Sequence, residues 1–428
     1  MRPAIHNFTD LRLTCPTPVR LPNGMPMWVI GNGEDEVCRL TLIMGGGAMQ
    51  EPKAMTAYIT AANVLQGNRQ QTPAEIAEAL DYHGAWKASQ AHDFCSILSI
   101  SSLNEHLERC LELFADILFH STFPEGEIER EREVVIEEIN SYNDLPAELI
   151  YDQYEELAYE GHPLAHNILG PKRNVKRFTS QRLKDFMQSR YTPDRMVLTV
   201  SGNVKMDHLV KLCEKYFGPY SSSNSHSSFN IQQSSIKAPT PQFHIFDRYV
   251  NRHTHQAHVL IGCEAPTLYS TDKTAFTLLN NILGGPAMNS HLNVAIRERH
   301  GFCYSIESQY VPFSDTGLFY VYADVDLDAH HRVRELIANE LRRMADTPLT
   351  DLQLRSAQRQ MIGQMAINDD FGMNEMQSIG KAYLCYDHVN TLEEMNADIL
   401  SVTASDLCRV AQTYFSPDRY STLVYGKN

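Results

Sequence analysis

Three histidines lie close together at the start of the second half of the chain, within the sequence HTHQAH: His253, His255 and His258. Imidazoles are common ligands of transition metals, and two of these residues could share one face of a strand. The sequence supplies no third ligand type nearby, so chance clustering at the start of a strand explains the histidines better. We therefore predict no metal site there.

Two further features are typical of chemical sites in other proteins. Residues 45–47 are glycines, but no GxxxxGK pattern follows them, so we predict a tight turn between a strand and a helix. The nine cysteines are scattered and contain no CxxC pair, and we interpret them as reduced thiols in the core. Neither feature indicates nucleotide or redox chemistry.

The elements that must position any site are organised by a stretch that occurs twice. Residues 178–202 and 402–426 share a Thr, a Leu, a Pro-Asp-Arg turn and a final Gly, and the two copies are 224 residues apart. Each copy predicts an N-cap, at Thr179 or Thr403, followed by an amphipathic helix, a turn and an apolar strand. An offset of half the chain indicates two duplicated domains.

Each half has strands first and helices afterwards, an order that favours an α+β fold. We predict an N-terminal domain at residues 1–220, a linker rich in Ser and Pro at 221–242, and a C-terminal domain at 243–428. Each domain should contain a mainly antiparallel sheet packed with helices. Local patterns predict a strand at 37–44, a turn at 23–24, a helix from about 54 to 66, and N-caps at Thr72 and Ser102.

Composition excludes several classes of function. The 428 residues include 37 basic and 52 acidic side chains, and the net charge of -15 argues against a nucleic-acid partner. The N-terminus has no apolar segment typical of a signal peptide, and no apolar run is long enough to span a membrane. We therefore expect a soluble, cytoplasmic protein without a membrane partner.

Several segments, in this order on a duplicated chain, resemble the M16 peptidases of the pitrilysin and mitochondrial-processing-peptidase type. They are LPNG, ERxVVIEE, GHPLxxxILG, GGPAMNSHL, RERHGFCY and the two closing units that contain PDR. The resemblance covers nearly the whole chain. It implies two domains of the LuxS/MPP-like metallohydrolase type that enclose a peptide chamber, with the zinc site on the N-terminal domain.

Active members of that family carry HxxEH on the helix that precedes the glycine corresponding to Gly67. The two histidines lie one helical turn apart and bind Zn²⁺, while the glutamate polarises the bound water. The corresponding residues here are Tyr58, Ala61 and Ala62. An alanine side chain cannot bind a metal, and a tyrosine with a pKa of ~10 is a poor zinc ligand at neutral pH. The resemblance therefore implies that this chain binds no zinc.

The family's third zinc ligand is a glutamate that corresponds to Glu138, in EREREVVIEEIN. With both histidines absent, Glu138 remains as a single ligand position. One carboxylate does not make a zinc site, so a solvated acid on an acidic helix is the better interpretation.

Active members also carry an Arg and a Tyr, seven residues apart, that reach from the C-terminal domain to the substrate at the zinc site. The corresponding residues here are Arg297 and Tyr304. Both side chains donate hydrogen bonds, which suits a developing oxyanion. Spacing alone favours a plainer interpretation, an arginine near a helix C-terminus and a tyrosine that begins a strand. The surrounding family pattern favours substrate binding.

The family's substrate-pairing edge strand corresponds to the segment that begins at Trp86. Lys87-Ala88 stands there in place of the usual Asn-Ala. Peptide addition to a strand uses backbone groups, so pairing tolerates this change.

Our leading hypothesis is a zinc-free subunit that pairs with a separate HxxEH-bearing subunit, which holds the zinc. The chain would contribute Arg297, Tyr304 and half of a chamber for unfolded peptides. One alternative is a peptide-binding or structural scaffold that acts without hydrolysis, for example as a homodimer. A third is an autonomous zinc peptidase with a non-standard site.

Overall fold

The computed structural model describes residues 16–31, 35–50, 55–68, 71–220, 241–369 and 372–427. Its strands form two sheets, one of six strands and one of five. The predicted linker lies outside the described residues except for 241–242, and the predicted domain boundaries stay a prediction. Cys15 also lies outside them, whereas the other eight cysteines are unpaired and all but Cys408 are buried.

Each half of the chain builds one sheet. The strands are β1 Thr17–Arg20, β2 Pro26–Gly31, β3 Val37–Met44, β4 Trp86–Ala91, β5 Ser96–Leu103 and β6 Met196–Gly202, then β7 Asp247–Asn251, β8 Ala257–Glu264, β9 Cys303–Pro312, β10 Gly317–Val325 and β11 Ser421–Gly426. The strand orders are β1-β2-β6-β3-β5-β4 and β7-β11-β8-β10-β9. The strands β6 and β11, which end the two copies of the repeat, occupy equivalent places: each pairs parallel with one neighbour and antiparallel with the other.

Helices cover both sheets. They are α1 Thr56–Asn63, α2 Pro73–Tyr82, α3 Leu107–His120, α4 Glu125–Asn143, α5 Pro146–Ala158, α6 Lys172–Val175, α7 Ser180–Arg190 and α8 Met206–Phe217 in the first half, and α9 Lys273–Gly284, α10 His330–Asp346, α11 Asp351–Asp369, α12 Gly372–Tyr386, α13 Leu392–Ser401 and α14 Ala404–Tyr414 in the second. A π-helix spans Asn293–Glu298. In the described parts of the chain, no helix is both long and apolar enough to cross a membrane.

The predicted N-caps of the repeat are confirmed. The hydroxyls of Thr179 and Thr403 each accept a hydrogen bond from a backbone N–H in the first turn of α7 and α14. Thr72 likewise begins α2 in a reciprocal capping box with Glu75. These caps depend on residues three positions apart, which explains why the sequence alone revealed them.

The predicted N-cap at Ser102 is wrong. Ser102 belongs to β5, where it pairs with Cys38, and its hydroxyl receives the Cys110 thiol at 3.2 Å. Helix α3 begins five residues later, at Leu107. Continued strand pairing with β3 satisfies the backbone at Ser102, so the local capping pattern is not used.

The two halves exchange one helix each. On the far side of the first sheet, α12 from the second half packs against β3 and β6 and buries Ile43 and Val197. On the far side of the second sheet, α5 from the first half packs against β8 and β11 with Ile150 and Tyr154. Each sheet therefore completes its second hydrophobic layer with a helix from the other half.

Glycines allow both exchanged helices to approach closely. A Cβ added at Gly380 in α12 would lie 2.2 Å from Cδ1 of Ile43. In β8, a Cβ at Gly262 would lie 2.3 Å from the backbone oxygen of Phe319 and 2.8 Å from the hydroxyl of Tyr154. The second site is the stricter one because a backbone atom cannot move aside.

We predict that Gly262→Ala lowers the free energy of unfolding by about 1–3 kcal/mol, since the added methyl overpacks the contact between β8, β10 and α5. Urea denaturation would measure the change. Gly363→Ala in α11 is the matched control, because no atom lies within 4 Å of its added Cβ. It should instead stabilise the helix by up to about 1 kcal/mol. Equal unfolding midpoints for Gly262→Ala and the unmodified protein would contradict the tight packing.

Candidate functional site

The helix that corresponds to HxxEH is α1, which packs against α4, α7 and the edge strand β4. It begins after Met55, which has a left-handed backbone (φ 78°), and Gly67 with φ 112° closes the segment that follows it. Ala61 is buried, while Tyr58 and Ala62 are partly exposed. The helix therefore presents position 58 and position 62 on a partly accessible face.

Tyr58 fills the space beside the acidic helix. Its hydroxyl donates a short hydrogen bond to Oε2 of Glu138 on α4. Burial, and then the hydrogen bond to Glu138, raise the pKa of Tyr58 well above its usual range. The phenol therefore stays protonated and keeps donating to the carboxylate.

The sequence predicts that Glu138 is a solvated acid on an acidic helix. The residue is exposed, but its carboxylate accepts the bond from Tyr58 across 80 positions of sequence.

A second acid, Glu131, lies seven residues before Glu138 on α4, and it is not among the site residues predicted from the sequence. Burial, and then the charge of Glu138, raise the pKa of Glu131, while the charge of Lys87 lowers it. The seven-residue spacing from Glu138, which keeps both acids on one helical face, was the available signal. One polar cluster therefore contains Tyr58, Glu131, Glu138 and Lys87, the last of which lies on β4.

Lys87 and Ala88 lie on β4, the outer strand of the first sheet. Lys87 is exposed, yet burial of its ammonium end lowers its pKa, and the charges of Asp81 and Glu131 oppose this change. The outer backbone edge of β4 has no strand partner among the described residues.

Arg297 and Tyr304 lie on the second half of the chain. Arg297 is exposed on the π-helix, and its Nη1 donates to Oδ1 of Asn293 at 3.3 Å. Tyr304 follows the first residue of β9 and is 79% exposed. Among the described residues, no hydrogen bond or ion pair links either side chain to the Tyr58 cluster.

The three histidines of HTHQAH lie at and just before the start of β8. His258 lies on β8 and shares a 2.8 Å hydrogen bond with the hydroxyl of Tyr322, while His253 and His255 precede the strand. In the described part of the chain, no group of three or more His, Cys, Asp or Glu side chains is arranged as a metal site.

Comparison with known proteins identifies the family. Residues 28–172 match the family model described as insulinase (peptidase family M16), and residues 177–361 match the model described as peptidase M16 inactive domain. The chain belongs to the M16 peptidase family. This confirms the resemblance and the expectation of two M16 domains of mixed α and β structure.

The M16 chain has similar relatives over most of its length. It is 28% identical over 360 residues to an uncharacterized zinc protease of Bacillus subtilis, covering 84% of this chain and 85% of the relative. It is 25% identical over 403 residues to the mitochondrial-processing peptidase subunit beta of Saccharomyces cerevisiae, covering 91% and 86%.

Two solved structures share the fold of this M16 chain. A peptidase M16 inactive domain from Pseudomonas fluorescens has a TM-score of 0.86 and 19% identity, covering 97% of this chain and 98% of that one. A protease from Helicobacter pylori has a TM-score of 0.88 and 20% identity, covering 97% and 100%.

Three more carboxylates meet where the two halves join. Asp93 lies in the turn between β4 and β5, and Asp152 and Glu155 lie on α5. Burial, and then the charge of Asp152, raise the pKa of Asp93 to about 6. Burial also raises the pKa of Asp152 and of Glu155. Their charges help to raise the pKa of Tyr320 on β10, which places them against the second sheet.

We predict that Asp93→Asn unfolds at a higher urea concentration than the unmodified protein at pH 7.5, and that the difference disappears near pH 4. An acid whose pKa is raised by folding stabilises the folded state while it keeps its proton. That contribution is lost as the pH rises from about 4 toward about 6. Glu133→Gln, at an exposed position on α4, is the control for the loss of one surface carboxylate. A difference that does not vary with pH would contradict the prediction.

The Tyr58–Glu138 bond also predicts that a zinc site can be rebuilt. Tyr58→His with Ala62→His places two imidazoles one turn apart beside Glu138, and Ala61→Glu adds the base. We expect the triple variant to bind about one zinc per chain through three protein ligands, measured by metal analysis after dialysis. The unmodified protein should hold far less.

The matched control for that experiment is the same triple variant with Glu138→Ala, which should lose most of its zinc affinity. A folded triple variant that takes up no zinc would mean that position 62 does not face Glu138.

Proposed function

We propose that this M16 chain is a non-catalytic subunit. It pairs with a separate HxxEH-bearing subunit that holds the zinc, and it supplies Arg297 and Tyr304 to the substrate together with half of a peptide chamber. The chain has two half-sites: the first is Tyr58, Ala61, Ala62 and Glu138, and the second is Arg297 and Tyr304. The observation that carries the proposal is the contrast between them. At the HxxEH positions, the Tyr58 hydroxyl is hydrogen-bonded to Glu138. Arg297 and Tyr304, in contrast, are exposed to solvent.

The first half-site lacks the groups that hydrolysis needs. Positions 58, 61 and 62 offer a protonated phenol and two methyl groups, so they supply neither imidazole ligands nor a carboxylate base. The Glu138 carboxylate, the remaining ligand position, already accepts a bond from Tyr58. This arrangement supports a subunit that does not activate water by itself.

The second half-site has the character of a substrate-binding surface. Arg297 offers several N–H donors on a planar group and Tyr304 offers one hydroxyl, and both are exposed. In the assembled enzyme they would donate hydrogen bonds to the substrate carbonyl as negative charge develops on its oxygen. The name of the yeast relative, a subunit of a processing peptidase, supports the idea of pairing.

The edge strand β4 offers a way to hold an unfolded peptide. A peptide can add to its outer edge through backbone hydrogen bonds at Lys87 and Ala88, without specific side-chain recognition. The same edge favours the second candidate, a peptide-binding scaffold that works without hydrolysis as a homodimer. The two candidates differ in whether a neighbouring reading frame encodes an HxxEH subunit.

We predict that the purified chain alone does not cleave unfolded peptides, and that adding its HxxEH partner yields cleavage. In that mixture, Arg297→Ala or Tyr304→Phe should reduce kcat by roughly 10- to 1000-fold, as expected for lost oxyanion donors. Assembly of the two subunits, measured by sedimentation, should be unchanged.

Two exposed residues provide matched controls for the mixture: Arg299→Ala on the same helical segment, and Tyr82→Phe on α2. Both should leave kcat unaltered. Full activity of the Arg297 and Tyr304 variants would favour the scaffold. Chelator-sensitive cleavage by the isolated chain would support the autonomous peptidase instead.

A further inference from the structure

Asn293 is a buried polar residue directly beneath Arg297. Only 6% of its surface is exposed, and its amide makes two hydrogen bonds. Its Nδ2 donates to the backbone oxygen of Met288 at 2.5 Å, and its Oδ1 accepts from Nη1 of Arg297 at 3.3 Å. One side chain therefore joins the guanidinium to the turn that precedes the π-helix.

The residues around Asn293 are closely packed. Leu292 and Ile296, on either side of it, are fully buried in the core of the second half. The π-helix packs against β9 and α10, and the hydrogen bond from Gly301 N–H to the backbone oxygen of Arg297 at 2.8 Å ends the helical segment. A guanidinium bonded to Asn293 is thus tied to a fixed part of the fold.

Arg297 needs such a tie if it is to act on a substrate. It is exposed, and an arginine side chain has many rotamers in solvent. Residues four apart lie on one helical face, so Asn293 can reach the guanidinium without bending the backbone. Asn293 accepts from one terminal nitrogen, and among the described residues no hydrogen bond occupies the other, so the second nitrogen can donate outward.

We propose that Asn293 is a positioning residue for Arg297: its buried side-chain oxygen holds the guanidinium in place. This inference rests on the proposed role of Arg297 in substrate binding. It deepens that role by assigning the fixed position of the Arg297 guanidinium to one buried amide, that of Asn293.

The first test uses the isolated chain and needs no partner. In a sample labelled with ¹⁵N-arginine, the side-chain signal of Arg297 is identified by its loss in Arg297→Lys. We expect Asn293→Leu to lower the heteronuclear NOE of this signal toward that of a freely mobile arginine. Asn281→Leu is the matched control, since it removes another buried amide from the neighbouring helix α9, and it should leave the signal unchanged.

The second test measures activity in the mixture with the HxxEH subunit. Asn293→Leu should lower kcat on the order of 10-fold, with little change in KM, because a misplaced group mainly affects the transition state. In an Arg297→Ala background the same substitution should cause no further decrease in kcat.

A conservative variant separates positioning from mere structural support. Asn293→Asp keeps an acceptor oxygen for Arg297 but loses the donor to the Met288 oxygen. It should retain kcat within about 3-fold because the charged acceptor strengthens the bond to the guanidinium. A structural role alone would make this variant worse than Asn293→Leu, since it buries a charge.

The outcomes are distinguishable. If Arg297→Ala has no effect on kcat, the proposed function of Arg297 fails. If Arg297→Ala reduces kcat but folded Asn293→Leu changes neither kcat nor the Arg297 signal, the positioning role of Asn293 fails. An Asp variant less active than the Leu variant would also overturn it.

Discussion

The exchange of helices between the two sheets is the constraint on which the rest of this structure depends. Each sheet has two apolar faces, and the second face is covered only because α5 and α12 cross to the other half. A sheet with one uncovered apolar face would expose its core residues to water. The two halves therefore cannot be separated without leaving both cores incomplete.

The same exchange places charges at the junction. Helix α5 brings Asp152 and Glu155 to the turn that carries Asp93, and burial raises the pKa of all three. The Asp152 carboxylate is partly satisfied by the Tyr142 hydroxyl and the Asn167 amide. Buried acids lower stability at neutral pH, so these residues oppose the hydrophobic packing that holds the halves together.

Local features of the fold were predictable from the sequence, and long-range ones were not. The strand at 37–44 and the caps at Thr72, Thr179 and Thr403 depend on neighbours within a few positions. The packing of α5 against the sheet of the other half depends on contacts that no local pattern indicates. At Ser102 a local pattern misled, because pairing with a distant strand outweighed it. The candidate site shows the same contrast between local and long-range features. The family resemblance located Tyr58 and Glu138 in the sequence. Their hydrogen bond joins residues 80 positions apart and is visible only in the structure.

The two half-sites differ in how their polar groups are satisfied. In the first half-site the Tyr58 hydroxyl donates to Glu138, so these two side chains satisfy part of each other's hydrogen-bonding capacity. Arg297 is held by Asn293 at one nitrogen, and Tyr304 has no side-chain hydrogen bond among the described residues. Such donors are well solvated while exposed, and covering them without an acceptor would be unfavourable. A partner that closes over this surface must therefore bring acceptors with it, and the carbonyl groups of an extended peptide are acceptors of that kind.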